Sequence, residues 1–316
     1  MKVKIVTTWG IPCGVSEHST YLVEAVQAAD PLIQHEPITD LHPRAIIDDP
    51  TPFDLLVLNY HAGLHSQWHP EHIQAVRRRG IPVLCVYHDT GVPNSNHCQA
   101  ICAAADAAVV HEPFDDLPPE KVRYWRMGVP TAEPAYTVHP FKDWVEQPVL
   151  GSIGFPFPWK NYDELCKITA KVGWALLLIA PTATDEQLKH WWDLNPYVHV
   201  RRYFVPRAEA ISLLAGCDAT AFTYVCHNTG QSAAILQGVA ARKPVFALST
   251  CRQFRALYTD PLGNEAIRWC ATFEEIESGL RNCPIERCDT GIVALAEQDS
   301  WAKLGQRYAA LYRSLA

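Results

Sequence analysis

Short apolar runs rich in β-branched residues recur along the whole chain, and stretches with apolar residues at helical spacing separate them. Apolar runs of this length are typical of strands that helices cover on both faces of a parallel sheet. The alternation therefore predicts an α/β protein built from repeated βα units.

The first part of the chain is predicted to hold five strands and three helices. The strands are expected at residues 3–9, 53–60, 82–88, 107–111 and 122–127, and the helices at residues 16–29, 70–79 and 95–104. The segment that follows, residues 131–148, contains three prolines and no regular period. Such a segment is typical of a linker between domains.

A second series of strands follows, at residues 149–155, 174–180, 199–204, 219–224, 244–248 and 266–270. Two helix starts carry a capping residue three positions before a carboxylate, Asn161 with Glu164 and Thr272 with Glu275. We therefore expect two Rossmann-like βα domains facing a central cleft. The boundaries are placed at 1–135 for the first domain, 136–148 for the linker, 149–295 for the second domain and 296–316 for a terminal helix. Ligands of such sheets bind at the carboxyl ends of the strands, so functional residues are expected in the loops there.

Composition narrows the class of protein. The 316 residues are 48% hydrophobic and 19% charged, which suits about two globular domains. The net charge of -7 repels polyanions, so general DNA coating is not the expected function, although a local basic groove stays open. The chain shows no secretory signal and no apolar run of about 18 residues, so a cytoplasmic protein without an integral membrane segment is expected. The 11 cysteines form no C-x-x-C pair and are predicted to be free thiols.

The first candidate loop joins the opening strand to its helix and contains Gly14, Val15 and Ser16. Gly14 permits a tight turn, and the first N–H groups of the helix would then form an anion site. The loop is not G-x-G-x-x-G, so a nicotinamide site has little support. The alternative is an ordinary turn in which Ser16 caps the helix.

The second candidate is the pair His88-Asp89, which ends an apolar strand. An imidazole at this place can bond a sugar hydroxyl and changes its protonation near neutral pH. In the alternative, Asp89 caps a turn and His88 is merely its neighbour. His111 ends the next strand in the same way.

The third candidate is the Gly/Pro/aromatic loop from Gly154 to Asn161. Lys160 stands at the positive end of the following helix, where a cation is unfavourable by roughly 0.3–1 kcal/mol. A bound phosphate would reverse that cost. The alternative is a solvated surface lysine without a role.

The fourth candidate runs from the strand end at Tyr224 into the next helix. Thr229 is expected to cap this helix, and the N–H groups near Gly230, Gln231 and Ser232 would hold a diphosphate without a metal. Gln237 lies about two turns further on, within reach of a ribose. The alternative is a core helix with a polar cap.

The remaining clusters give weaker signals. The histidines at positions 61, 65, 69 and 72 lack an acidic partner or an H-E-x-x-H pattern, so no metal site is predicted. No Walker loop and no G-x-S-x-G elbow is present.

Together these segments resemble the GT-B glycosyltransferases, in particular the large retaining group that uses nucleotide sugars and is often called family four. Residues 13–17 (C-G-V-S-E) are similar to that family's C-G-I-A-E opening. Further likenesses lie at His88-Asp89, residues 127–130 (M-G-V-P), Gly154-Phe155, Lys160-Asn161, the helix from Ser232 to Lys243-Pro244, and the terminal Trp301, Tyr308 and Tyr312.

The resemblance implies an N-terminal acceptor domain, a C-terminal donor domain, a nucleotide sugar between them, and a terminal helix that crosses back onto the first domain. By position, Lys160 would hold the donor diphosphate, Gly14 would approach it, and His88 would contact the transferred sugar. The catalytic candidates are His88, Asp89 and Lys160. The donor-site candidates are Gly14, Val15, Gly154, Lys160, Tyr224, Thr229, Gly230, Gln231, Ser232 and Gln237, and the acceptor-side candidates are Glu17, His18 and His111.

The chain also differs from that family. Where the family carries two glutamates, this sequence has Thr229 or its neighbours and Gln237, and the arginine that commonly precedes the lysine is absent.

The predicted function is retaining transfer of a sugar from a nucleotide-diphosphate sugar to a hydroxyl acceptor, without metal or cofactor. The acceptor would be a glycan, a small molecule or, less expected, a modified DNA base, and a peripheral membrane contact stays open. A nucleotide-sugar epimerase is a second hypothesis, but it needs carboxylates, and Asp89 and Glu17 are the candidates found. A non-catalytic nucleotide-sugar-binding protein is a third, favoured by the missing glutamates.

Overall fold

The structure is a computed structural model that describes residues 1–88, 95–112, 120–130, 146–225, 230–283 and 290–316. The chain divides into two compact units. The first unit contains the described residues within 1–128, 228–231 and 299–316, and the second unit those within 129–227 and 232–298. Each unit has one six-stranded sheet in which all strands are parallel. The predicted α/β architecture of two βα units is therefore confirmed.

The first unit holds a sheet in the order β2-β1-β3-β4-β5-β6. Its strands are β1 (Lys2–Val6), β2 (Gln34–Ile38), β3 (Leu55–Tyr60), β4 (Val83–Tyr87), β5 (Ala107–Val110) and β6 (Val122–Tyr124). Its helices before the second unit are α1 (Gly14–Ala29), α2 (Arg44–Ile47), α3 (Pro70–Arg77) and α4 (Ser95–Ala104). One apolar layer packs α3 and α4 on the sheet, and a second layer packs α1 on the opposite face.

The second unit holds a sheet in the order β12-β11-β10-β7-β8-β9. Its strands are β7 (Val149–Ile153), β8 (Ala175–Ile179), β9 (Val198–Arg201), β10 (Ala219–Phe222), β11 (Val245–Leu248) and β12 (Arg268–Cys270). Its helices are α5 (Tyr162–Val172), α6 (Asp185–Leu194), α7 (Arg207–Ala215), α8 (Ala233–Ala240), α9 (Arg255–Tyr258), α10 (Pro261–Ala266), α11 (Phe273–Arg281) and α12 (Thr290–Gln298).

The last helix, α13 (Trp301–Leu315), belongs to the first unit and packs along α1. Its buried Trp301, Tyr308 and Tyr312 join the apolar layer that α1 forms with the sheet. A Cβ at Gly305 would lie 2.4 Å from the carbonyl oxygen of Ala25, so only glycine lets the two helices approach this closely. The predicted return of the terminal helix to the first domain is confirmed.

Two local expectations were wrong and a third was right. Helix α1 begins at Gly14 rather than residue 16, because the thiol of Cys13 accepts the N–H of Ser16 and caps the helix. The side chain of Asn161 does not cap α5 but donates to the carbonyl oxygens of Trp159 and Thr223. The expected start at Thr272 is confirmed, since its hydroxyl accepts the N–H of Glu275.

Strand β2 was not predicted. Its sequence, Gln34-His-Glu-Pro-Ile38, lacks an apolar run because it is an edge strand that pairs with β1 alone. An edge strand tolerates polar residues and a proline such as Pro37. Among the helices that the structure describes, none has both the length and the apolar character needed to cross a bilayer.

Candidate functional site

The loop after β1 leads directly into the first turn of α1. Gly14 opens the helix, Val15 is buried, and Glu17 is half-buried in the first turn. An added Cβ at Gly14 would meet no atom within 4 Å, so the backbone here can be approached by another molecule. The tight turn expected at Gly14 lies earlier in the loop, where Gly10 has a φ of 69°.

Three histidines that are far apart in the sequence come together in the first unit. His18 lies on α1, His88 follows β4 and His111 follows β5. The ring centroids are 4.4 Å apart for His18 and His88, 5.1 Å for His18 and His111, and 5.5 Å for His88 and His111. His18 and His111 are each 1% exposed, and His88 is half-buried. Asp89, the neighbour of His88, lies outside the described residues.

Hydrogen bonds orient two of these rings. Nε2 of His88 lies 2.6 Å from Oδ1 of Asn59, and Nδ1 of His111 lies 2.8 Å from the carbonyl oxygen of Trp125. Because both oxygens can only accept, each of these nitrogens carries the ring proton. The remaining nitrogens, Nδ1 of His88 and Nε2 of His111, therefore keep a lone pair.

The three imidazoles are neutral at pH 7. Burial lowers the pKa of His111 to about 4. Burial and, secondarily, the neighbouring His111 hold the pKa of His18 well below its usual value, and burial and the neighbouring His18 do the same for His88. The site therefore offers lone pairs and N–H groups rather than positive charge.

Asn59 is a residue that the sequence reasoning missed. It is the penultimate residue of β3 and is fully buried. Its Nδ2 lies 2.6 Å from the hydroxyl of Ser19 and 3.4 Å from the carbonyl oxygen of Val15, which fixes the amide so that Oδ1 faces His88. The signal in the sequence is a single amide in the apolar strand Leu55–Tyr60, because buried polar groups need partners.

In the second unit, the loop after β7 gathers Gly154, Lys160 and two tyrosines. A Cβ at Gly154 would lie 3.3 Å from Nζ of Lys160 and from the hydroxyls of Tyr162 and Tyr224. Gly154 has a φ of 145°, which side chains rarely adopt. The hydroxyl of Tyr162 donates to the carbonyl oxygen of Gly154, and the hydroxyl of Tyr224 donates to the carbonyl oxygen of Ile153. Backbone and side chains are therefore held tightly at this strand end.

Lys160 is not a solvated surface lysine. It is 8% exposed, and its Nζ lies 3.2 Å from the centre of the Tyr224 ring. It ends a short 3₁₀ helix, Pro158–Lys160, two residues before α5 begins. Burying an ammonium group has a cost in free energy, and the cation–π contact recovers part of that cost. The ammonium group of Lys160 therefore lies near the N-terminus of α5. An anion bound there would be stabilised both by this cation and by the helix dipole.

The helix α8 begins at Ala233, after a glycine with a φ of 107° at Gly230. Thr229, the expected cap, lies outside the described residues, and the position before the helix is taken by Ser232, whose hydroxyl makes no capping bond. The N–H of Ser232 donates to the carbonyl oxygen of Gln253, so it is engaged within the unit. In the first unit, Oε1 of Gln231 accepts the N–H of Met127 at 2.6 Å.

Gln237 lies in the middle of α8 and is 8% exposed. Its Oε1 has no hydrogen-bond partner among the described residues. A buried acceptor without a partner is unusual in native proteins. The Oε1 atom of Gln237 can therefore accept a hydrogen bond from a ligand.

No protein-family model matches the sequence, and no curated protein matches it. Solved structures do match. HepE (Alr3699) of Anabaena, in complex with UDP and glucose, is 14% identical with a TM-score of 0.73 over 100% of both chains. A trehalose-6-phosphate synthase is 10% identical with a TM-score of 0.69 over 100% of both chains. The lipopolysaccharide outer core galactosyltransferase WaaB is 10% identical with a TM-score of 0.64, covering 99% of this chain and 100% of the other.

These proteins are glycosyltransferases, and the likeness extends over essentially the full length of this chain. The chain therefore has the GT-B fold, as its sequence motifs predicted.

Proposed function

We propose that the protein transfers a sugar from a nucleotide-diphosphate sugar to a hydroxyl acceptor, with retention of configuration and without a metal on the diphosphate. The observation that carries this proposal is the full-length likeness in fold to a protein seen with UDP and glucose and, in a second structure, with UDP-glucose. The buried Lys160 beside a helix start supports it from this chain's own residues.

In this proposal each group has one task. Lys160 and the N-terminus of α5 stabilise the negative charge that develops on the leaving diphosphate. His88, neutral and oriented by Asn59, is assigned to the transferred sugar. Gln237 is assigned to the ribose, and an oxygen of the diphosphate takes the proton of the acceptor hydroxyl.

Cytoplasmic location belongs to the same proposal. Six cysteines within the described part of the chain are free thiols: Cys13, Cys85, Cys102, Cys166, Cys217 and Cys270. Free thiols in this number are typical of proteins kept in a reducing compartment.

The test is a panel of UDP-, GDP- and ADP-sugars with the purified full chain. We expect one nucleotide to stabilise the protein, by roughly 2.7 kcal/mol at about 100 times its dissociation constant. The matching nucleotide sugar should release free nucleotide, and NMR of the product should show the anomeric configuration of the donor. An inverted product would contradict retention, while a donor whose sugar changes configuration without leaving the nucleotide would identify an epimerase. Binding without any turnover would identify a non-catalytic protein.

The metal requirement is tested separately. Activity should survive EDTA, and added Mg²⁺ or Mn²⁺ should not raise it, because Lys160 and a helix start supply the positive charge. Loss of activity in EDTA that either ion restores would overturn this part of the proposal.

A further inference from the structure

We propose that His18, His88 and His111 bind a divalent transition-metal ion of the Zn²⁺ class, with three imidazole ligands and a fourth position open to water. One ring nitrogen from each histidine lies within 4.8 Å of the others. Tetrahedral ligands with Zn–N bonds of about 2.0–2.1 Å lie about 3.3 Å apart, so the three nitrogens would have to move closer together when the ion binds.

The hydrogen bonds around the cluster prepare the correct nitrogens. Metal-bound histidines usually donate their other N–H to a carbonyl or amide oxygen, which fixes the tautomer. Asn59 accepts from His88 and the carbonyl of Trp125 accepts from His111, so Nδ1 of His88 and Nε2 of His111 are left to bind the metal. Asn59 and the carbonyl group of Trp125 thus orient the two rings as the hydrogen-bond partners of metal-bound histidines do.

The buried nitrogens also need a partner. Both ring nitrogens of His18 and Nε2 of His111 are buried and make no hydrogen bond to any described residue. Buried polar atoms without partners are rare in native proteins and point to a water or an ion that completes them. Here the two rings with such atoms and the ring of His88 face one another, which favours a single central ion.

The ligand type selects the metal. Neutral imidazoles suit Zn²⁺, Cu²⁺ or Ni²⁺, whereas Mg²⁺ and Mn²⁺ prefer carboxylate and water oxygens.

The site stands on this geometry whether or not the protein transfers sugars. Three neutral histidines in a core could instead enclose a water molecule. The two cases differ in metal affinity, which can be measured without any assay of activity.

The experiment is calorimetric titration of the chelator-treated full chain with Zn²⁺, with Mg²⁺ as a second titrant. We expect one Zn²⁺ per chain that Mg²⁺ does not displace, and a visible d–d absorption band when Co²⁺ replaces Zn²⁺. His111→Gln should weaken this binding by about 100-fold or more, and Asn59→Ala by roughly 10- to 100-fold. Should His111→Gln fail to fold by circular dichroism, His88→Gln tests the same loss at a half-buried ring.

The matched control is His35→Gln. His35 is also a histidine of the first unit with two buried, unpartnered ring nitrogens, but it does not belong to the cluster. It should keep Zn²⁺ affinity unchanged. Absence of Zn²⁺ binding in the wild-type chain would overturn the proposal. Binding that survives His111→Gln would also overturn it, and would assign the metal to other histidines such as those at positions 61, 65, 69 and 72.

Discussion

Asn59 links three elements of the first unit through one side chain. Its amide contacts Ser19 on α1 and His88 after β4, while its own backbone lies in β3. Since the amide cannot turn without losing both contacts, the proton of His88 stays on Nε2. Asn59 therefore acts as a positioning residue for His88.

Replacement of Asn59 tests this role. In Asn59→Ala, turnover should fall on the order of 10-fold, as expected for the loss of one hydrogen bond of about 1.4 kcal/mol, while donor affinity stays unchanged. NMR of the histidine nitrogens should show that His88 loses its fixed tautomer. The matched control is Asn195→Ala, another fully buried asparagine, which should lower stability but spare turnover. An equal loss of turnover in both variants would show that Asn59 has only a structural role.

Lys160 provides the corresponding test in the second unit. Lys160→Ala should weaken binding of the nucleoside diphosphate by roughly 10- to 100-fold, because charge-assisted hydrogen bonds contribute about 1.5–3 kcal/mol, and should leave nucleoside binding nearly unchanged. Calorimetry with UDP and uridine, and with GDP and guanosine, measures the difference. Lys167→Ala, at an exposed lysine paired with Glu164, is the control. Unchanged diphosphate affinity in Lys160→Ala would show that the lysine is not in the donor site.

If both proposals hold, Zn²⁺ and the sugar compete for Nδ1 of His88, because Nε2 of the same ring is bonded to Asn59. Zn²⁺ at the concentration that saturates its site should then inhibit transfer, and EDTA should restore full activity. The ratio of rates with and without Zn²⁺ is the measurement. A rate that Zn²⁺ raises would show that the metal takes part in catalysis and that the metal-free mechanism is wrong.

At the scale of elements, Gly305 controls how closely α13 approaches α1. A Cβ there would also lie 2.5 Å from the carbonyl carbon of Ala25, and this neighbour is backbone, which cannot rotate away. Gly305→Ala should therefore destabilise the protein by about 1–3 kcal/mol despite the higher helix propensity of alanine. Urea unfolding measures this change. Ala302→Ser, on the exposed side of α13, should stay within about 0.5 kcal/mol of the wild type.

The elements differ in how far the sequence could predict them. Central strands such as β3 and β8 were predicted because they are buried along their whole length and are therefore apolar. Strand β2 was missed because an edge strand carries no such run. Predicted strand ends ran too far, as at residues 7–9, because Thr7 and Thr8 are β-branched although the strand ends at Val6.

The residues of the candidate site also differ in how far the sequence could predict them. His88 and Lys160 were found because they follow strands, where ligands of parallel sheets bind. Asn59 was missed because its importance comes from contacts with α1 and with His88, which lies 29 residues further along the chain. The cluster of three histidines could not be foreseen as a metal site, since no local spacing joins His18, His88 and His111.

At the scale of the whole molecule, buried histidines make stability depend on pH. Burial lowers the pKa of His35 to about 4, so this ring stays neutral in the folded protein while the unfolded chain binds a proton below about 6.5. The contribution of His35 is thus fully present above pH 6.5 and is lost as the pH falls toward 4, with a slope of up to about 1.4 kcal/mol per pH unit. Stability should fall between pH 7 and pH 5.

His35→Gln isolates that contribution. The decrease in unfolding free energy between pH 7 and pH 5, measured in urea, should be smaller in the variant by roughly 1–2 kcal/mol. An identical decrease in both proteins would show that the ring of His35 is protonated in the folded state.

The position of α13 has a consequence for biosynthesis. Arg313 forms its ion pair with Asp30, 283 residues earlier in the chain, and the tyrosines beside it complete the apolar layer over α1. At about 5–20 residues per second, a ribosome needs roughly 15–60 s to make the intervening chain. During that time all strands of the first unit have been synthesised, but the apolar surface that α13 will cover is still exposed to solvent. The second unit can complete its own fold within this interval, so the half that is translated first is the half that matures last, and it is the half that chaperones would have to shield.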